Sequence, residues 1–269
     1  MALGAAAMCF QTQYLFLGYA YISPFTCFLF FGTLALYSAH RLVGLKKVGP
    51  FLEKGRYQVI HKYQKHIQVY GILGIAAASY FFFQLPLRVI PGLIIPGIVA
   101  AGYVLPFTPK GKRLRDIDGL KIFLLAPSWA WLTTIGPWTE LDLHPNLPLV
   151  VTILERCFFF FSIAIGFDIR DLPIDSYSHV NTLPGWLGIQ RTKVLAGICL
   201  LIMLLLAGVN FWMGTYSPGA LLAVAISGVL IMILVYFSDR VKHDYYFSGL
   251  LDGMLIVESG LILLIAPKW

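Results

Sequence analysis

The chain alternates long apolar runs with short links rich in polar residues, proline or glycine. The runs cover 3–20, 23–42, 67–84, 87–106, 120–137, 149–167, 194–213, 218–237 and 246–266. Each is roughly 17–21 residues long, the length an α-helix needs to cross a hydrocarbon layer. The pattern predicts an all-α integral membrane protein, a bundle of about nine transmembrane helices in a single domain spanning residues 1–269. Pro86, Pro91, Pro96 and Pro127 predict kinks. The opening run lacks the basic start and small-residue cleavage site of a signal peptide, so it reads as the first membrane helix.

Composition supports this reading: 58% of residues are hydrophobic, 12% are charged, and the mean hydropathy is +0.78. A soluble globular domain is excluded. A net charge of +7 could suggest nucleic acid, but the distribution of charge favours topology instead. Every Lys and Arg except Arg88, Arg156 and Lys268 lies in segments 41–66, 107–121, 168–193 or 238–245. All four segments fall on one side of a nine-helix bundle. The positive-inside rule makes that side cytoplasmic, with the N-terminus inside and the C-terminus outside. The expected location is the plasma or inner membrane of a prokaryote, with membrane lipids around the chain and no nucleic-acid partner. Cys9, Cys27, Cys157 and Cys199 sit in apolar runs without ligand spacing and read as small core residues.

The densest chemistry lies where the sixth run meets its loop, in Phe167-Asp168-Ile169-Arg170-Asp171-Leu172-Pro173-Ile174-Asp175. Asp168, Asp171 and Asp175 are spaced i, i+3, i+7, which puts three carboxylates on one helical face. Pro173 predicts that the helix bends or ends among them. Three acids on one face repel unless a cation sits between them, and an oxygen-only cluster suits Mg²⁺ completed by substrate phosphates. The alternative is a solvated cap on a membrane helix. Arg170, Arg191 and Lys193 nearby are anion-binding types.

Charges also fall inside the runs. Arg156 lies twelve residues before Asp168, and Glu258 twelve after Tyr246, so both sit roughly 18 Å from the cytoplasmic boundary. A lone charge at that depth costs several kcal/mol, which predicts an Arg156–Glu258 ion pair, with Glu155 as the rival partner. Asp252, beside Gly253, either faces a cytoplasmic-side cavity or is a hydrogen-bonded structural acid. Trp129 and Trp131 are packing or belt residues, or else line a prenyl tunnel. The basic run Lys54 to His66 reads as an amphipathic interfacial segment.

These motifs resemble the UbiA-type intramembrane prenyltransferase superfamily. Asp168-Ile-Arg-Asp171-x-x-x-Asp175, followed by Thr182-Leu183-Pro184 and Leu187-Gly188, is similar to its second aspartate-rich motif and the loop behind it. Leu105-Pro106-Phe107-Thr108 with Lys110, Lys112 and Arg113 resembles the basic segment between its fourth and fifth helices. The resemblance implies two aspartate clusters that hold Mg²⁺ and grip the diphosphate of a prenyl donor. Here the first cluster, Asn-Asp-x-x-Asp-x-x-x-Asp, is missing. Its place reads Tyr37-Ser38-Ala39-His40-Arg41-Leu42-Val43-Gly44-Leu45, without a carboxylate. The chain therefore resembles a divergent branch.

On that resemblance, Asp168, Asp171 and Asp175 are expected to hold Mg²⁺. Arg41, His40 in its protonated form, Arg170, Lys110, Lys112, Arg113 and Arg191 are expected to contact the diphosphate, and Asp252 or Tyr37 to act as base or orient an acceptor. His40 and Arg41 also read as ordinary positive-inside anchors. Three functions stay open. One is prenyl transfer from an isoprenoid diphosphate to an aromatic or lipid acceptor. The second is terpene cyclisation on the same fold, in an aromatic cage around Trp129, Trp131 and Phe158 to Phe161. The third is a non-catalytic protein that binds an isoprenoid lipid or a partner.

Overall fold

The computed structural model describes residues 1–45, 55–106, 113–241 and 243–266. The described residues form α1 (Ala2–Leu17), α2 (Pro24–Leu45), α3 (Gly55–Lys62), α4 (Gln64–Phe82), α5 (Ile90–Val104), α6 (Leu120–Glu140), α7 (Leu147–Tyr177), α8 (Leu183–Leu187), α9 (Ile189–Trp212), α10 (Pro218–Phe237) and α11 (Asp252–Ile265). A π-helical segment, Tyr246–Leu251, leads directly into α11. Each of the nine predicted runs has its helix, and no strand forms among the described residues. Six helical stretches are long and apolar enough to cross a membrane, and α1 is a shorter apolar helix of 16 residues. The chain is a multi-pass, all-α membrane protein.

The helices pack mainly on their sequence neighbours: α2 against α4, α6 against α7, and α7 against α9. Contacts of α1 with α11 and with α6, far apart in sequence, close the bundle. Glycines permit two close approaches to α2. A Cβ on Gly74 of α4 would lie 3.0 Å from the Ala35 backbone nitrogen of α2. One on Gly136 of α6 would meet the Phe25 ring at 1.8 Å. Small residues let helices approach where lipid supplies no hydrophobic drive between them.

Helix α7 departs from expectation in length. It runs 31 residues and continues through Pro173 to Tyr177 rather than ending in the acid row. Asn146 caps its start by accepting from the Leu149 amide at 3.0 Å. Proline removes one backbone hydrogen bond, but the helix holds because the side chains around it are anchored. Asp168, Asp171 and Asp175 are all buried.

The predicted Arg156–Glu258 ion pair does not form. Arg156 donates instead to Thr12 Oγ1 at 2.6 Å, the Thr133 carbonyl at 2.6 Å and Thr134 Oγ1 at 3.2 Å. Glu258 Oε1 accepts from Gln11 Nε2 at 3.2 Å. Glu155 turns away toward α9, accepting from Asn210 Nδ2 at 3.0 Å and Tyr216 Oη at 3.1 Å. Successive residues on a helix point about 100° apart, so Arg156 faces α1 and α6 while Glu155 faces α9. Neutral hydroxyls, amides and a carbonyl from neighbouring helices serve each charge separately. Sequence spacing gives depth in the membrane but not the direction a side chain takes across the bundle.

Arg156→Leu should therefore destabilise the fold by about 3 kcal/mol, since it strips a buried hub of its partners. Glu258→Gln, which keeps a group able to bond Gln11, should cost less than about 1 kcal/mol. Unfolding of the two variants in the same detergent checks this. Equal losses would restore the direct pair.

Candidate head-group site

One end of the bundle opens into a cavity of about 970 Å³. Its depth is apolar, walled by side chains such as Phe28, Leu29, Leu93, Leu132, Phe160 and Ile163. Its mouth is charged. Among the described residues, six basic side chains line it (Arg41, Arg56, Arg113, Arg115, Lys121 and Arg170), together with six acids (Asp116, Asp168, Asp171, Asp175, Asp244 and Asp252).

The acid row is the centre of this mouth, and a lysine stands in it. Lys121 Nζ lies 2.7 Å from Asp168 Oδ1, 3.5 Å from Asp175 Oδ2 and 3.9 Å from Asp171 Oδ2. It makes these ion pairs without an aligned hydrogen bond, and it lines the cavity. Asp171 is held from two further sides. Arg170 forks onto both its oxygens, at 2.7 and 3.1 Å. Arg56, from α3, donates to its Oδ1 at 2.8 Å. Burial opposes the charge on Arg56, but Asp171 and Tyr57 outweigh it and raise its pKa. The Arg170 guanidinium is itself fixed, 4.7 Å over the Phe167 ring and 5.1 Å over Phe247 of the π-helical segment. Stacked between two rings, an arginine keeps its fork in one orientation.

The loop behind the acid row places Lys121. Asp118 accepts from the Asn181 amide at 2.8 Å and from Asn181 Nδ2 at 3.1 Å. The Gly119 amide donates back to the Asn181 carbonyl at 2.8 Å. Gly119 adopts φ 67°, and a Cβ there would meet the Trp186 ring at 2.3 Å. Only glycine satisfies both demands. Helix α6 begins at the next residue, with Lys121 in its first turn.

The residues expected in the site meet different fates. Arg41, Tyr37, His40, Arg113, Arg170, Asp252 and the three acids all line the cavity. Arg41 stacks 4.5 Å over Tyr37. Asp252 is buried, and its Oδ1 accepts no hydrogen bond. Arg113 is spent on Asp116, at 2.9 and 3.1 Å. His40 is not a cation here: Arg115 Nη1 stands 2.6 Å from its Nε2, and a guanidinium can only donate. Arg191 is exposed at the start of α9 and lies off the cavity wall. Lys110 and Lys112 lie outside the described residues. Trp129 lines the cavity, whereas Trp131 faces outward and donates to the Gly92 carbonyl at 2.9 Å. Of Phe158 to Phe161, only Phe160 reaches the cavity wall.

Arg56, Arg115 and Lys121 are the residues that sequence reasoning did not place in the site. Arg56 falls in the stretch read as interfacial, yet it reaches Asp171. Lys121 carried a signal: a lysine just inside the start of an apolar run needs an acid beside it.

Mg²⁺ does not fit this donor set as it stands. Among the described residues, no three His, Cys, Asp or Glu side chains are arranged to hold a metal ion. The point toward which the acid row converges is taken by an ammonium group.

No protein-family profile matches the sequence, and no curated protein matches it. Solved structures do. Digeranylgeranylglyceryl phosphate synthase superposes with a TM-score of 0.59 at 12% identity, over 98% of this chain and 90% of that one. The fold is UbiA-type. A UbiA homologue from Archaeoglobus fulgidus gives a TM-score of 0.56 at 12% identity, over 98% of both chains. A UbiA homologue from Archaeoglobus fulgidus bound to GPP and Mg²⁺ gives 0.52 at 13% identity, again over 98% of both. The bundle is UbiA-type, and at this identity the side chains of the mouth must be read on their own terms.

A double-mutant cycle tests how firmly α3 is tied to the acid row. Arg56→Ala and Asp171→Asn should show a coupling of about 1–2 kcal/mol in thermal unfolding, the range for a charge-assisted pair shielded from bulk water. Additive losses would mean that Arg56 is not anchored there.

Proposed function

We propose that the protein is a membrane-embedded prenyltransferase that takes an isoprenoid diphosphate and transfers its prenyl group to an aromatic or lipid acceptor. The observation that carries this reading is the cavity, charged at its mouth, apolar in its depth and set in a UbiA-type bundle. An isoprenoid diphosphate has the same division into anionic head and apolar tail. The volume lies at the upper end of small-molecule pockets, which leaves room for a donor chain and an acceptor together.

The charges of the mouth differ in how they are paired. Arg113, Lys121, Arg56 and Arg170 neutralise Asp116 and the acid row. Arg41 and Arg115 have no carboxylate partner among the described residues, which leaves them to receive an anion. Asp252 and Asp244 line the same cavity, at the approach to α11. With the diphosphate held by Arg41 and Arg115, the allylic C–O bond breaks and its electron pair leaves on the pyrophosphate. Cations at that oxygen stabilise the charge as it develops. The prenyl cation is left in the apolar depth, near the stacked Trp129 and Phe160 rings. An acceptor nucleophile forms the new bond and gives up a proton to Asp252, with Tyr37 orienting it. The Mg²⁺ expected with such a substrate would be held, on the sequence reading, by Asp168, Asp171 and Asp175. The ion pairs of these carboxylates speak against that part of it.

Transfer is preferred over cyclisation because the aromatic cage that cyclisation needs is not assembled: Trp131 and most of the phenylalanine run face elsewhere. The charged mouth is proposed to face the cytoplasm, following the positive-inside distribution.

Purified protein given prenyl diphosphates of several lengths should release pyrophosphate, and release should rise with a phenolic or lipid-alcohol acceptor. Arg41→Glu should lower turnover at least about a hundredfold, since it replaces attraction for the leaving group by repulsion. Unchanged turnover in both Arg41→Glu and Asp168→Ala would remove the site.

A further inference from the structure

We propose that the site grips its diphosphate without a divalent metal, and that the Lys121 ammonium does the work a metal would do between the carboxylates. This rests on the prenyl-diphosphate reading above. Lys121 Nζ is the common neighbour of all three acids, within 3.9 Å of each. Both oxygens of Asp171 are already engaged by Arg170, and Arg56 adds a further bond to one of them. Mg²⁺ demands near-octahedral oxygens at about 2.0–2.1 Å. Carboxylates kept apart by an ammonium cannot share such an ion unless the lysine leaves.

Leaving is costly. Lys121 is 6% exposed, sits in the first turn of α6, and is positioned by the Asp118–Asn181 clamp immediately before it. Its charge also completes a balance, since Lys121, Arg56 and Arg170 equal the three carboxylates in number. A divalent ion added to that cluster ahead of the diphosphate would carry surplus charge into a buried site. Helix α2 agrees. The stretch Tyr37 to Leu45 holds no acid, and Arg41 stands there instead. A diphosphate entering the mouth therefore meets Lys121, whose donors are unaligned with any protein acceptor, together with Arg41 and Arg115. The acid row holds the lysine, and the lysine holds the phosphate.

The test is binding of geranyl thiodiphosphate, a donor analogue slow to ionise, to the full chain in detergent. Calorimetry would be run once with EDTA and once with MgCl₂. The two dissociation constants should agree within about threefold, a difference under 1 kcal/mol. Lys121→Met should weaken binding in EDTA by about tenfold or more, as loss of one charge-assisted contact does. Mg²⁺ should recover part of that loss, because the freed carboxylates can then gather a metal. If Lys121→Met does not fold, the wild-type comparison still decides, and Arg115→Gln should weaken binding equally with and without Mg²⁺. Wild-type binding that needs Mg²⁺ would overturn the inference and leave the prenyltransferase reading standing. Unchanged affinity in Lys121→Met would also overturn it. No binding under either condition would overturn both.

Discussion

Three carboxylates on one helical face can be buried together only if cations are buried with them. That constraint organises this end of the molecule. Asp168, Asp171 and Asp175 draw Lys121 from α6, Arg56 from α3 and Arg170 from α7 itself into one cluster. Each partner commits a piece of backbone. Lys121 requires α6 to start where the Asp118–Asn181 clamp and the left-handed Gly119 allow. Arg56 ties a short helix over the mouth. Arg170 needs the two rings that hold its plane, one of them carried by the π-helical segment. Widened helical turns of that kind recur at functional sites. Here the π-helix brings Phe247 against Arg170 and leads into α11 at Asp252.

The two halves of the bundle treat charge differently. Around Arg156, Glu155 and Glu258, hydroxyls, amides and a carbonyl serve each ionisable group in turn, and none of the three lines the cavity. That half holds helices together. At the mouth, charges pair directly and face an open volume, with Arg41 and Arg115 left over. The contrast locates the chemistry. Polar groups locked to one another do structural work, while cations left without a carboxylate beside a cavity are available to a ligand.

Much of this was legible in the chain. Run length and proline-glycine punctuation anticipate a helix in each of the nine apolar runs, because a bilayer imposes its thickness on every span. The i, i+3, i+7 acids are visible as one face, and the missing first aspartate cluster is visible as Arg41 in its place. What was not legible depends on direction across the bundle. The Arg156–Glu258 pair failed because depth says nothing about azimuth. Lys121 and Arg56 escaped because their partners lie on another helix, far along the chain. Pro173 signalled a bend or an end, and tertiary anchoring carries the helix past it to Tyr177. The neighbour of His40 that sets its protonation, Arg115, comes from a different segment.

An experimental structure of the protein with a slowly ionising prenyl diphosphate, prepared in Mg²⁺-containing buffer, tests the central claim most directly. The expected result is diphosphate oxygens within hydrogen-bond distance of Lys121, Arg41 or Arg115, with Lys121 still seated among Asp168, Asp171 and Asp175. A metal ion bound by Asp168 and Asp171, with the Lys121 side chain displaced from them, would contradict it.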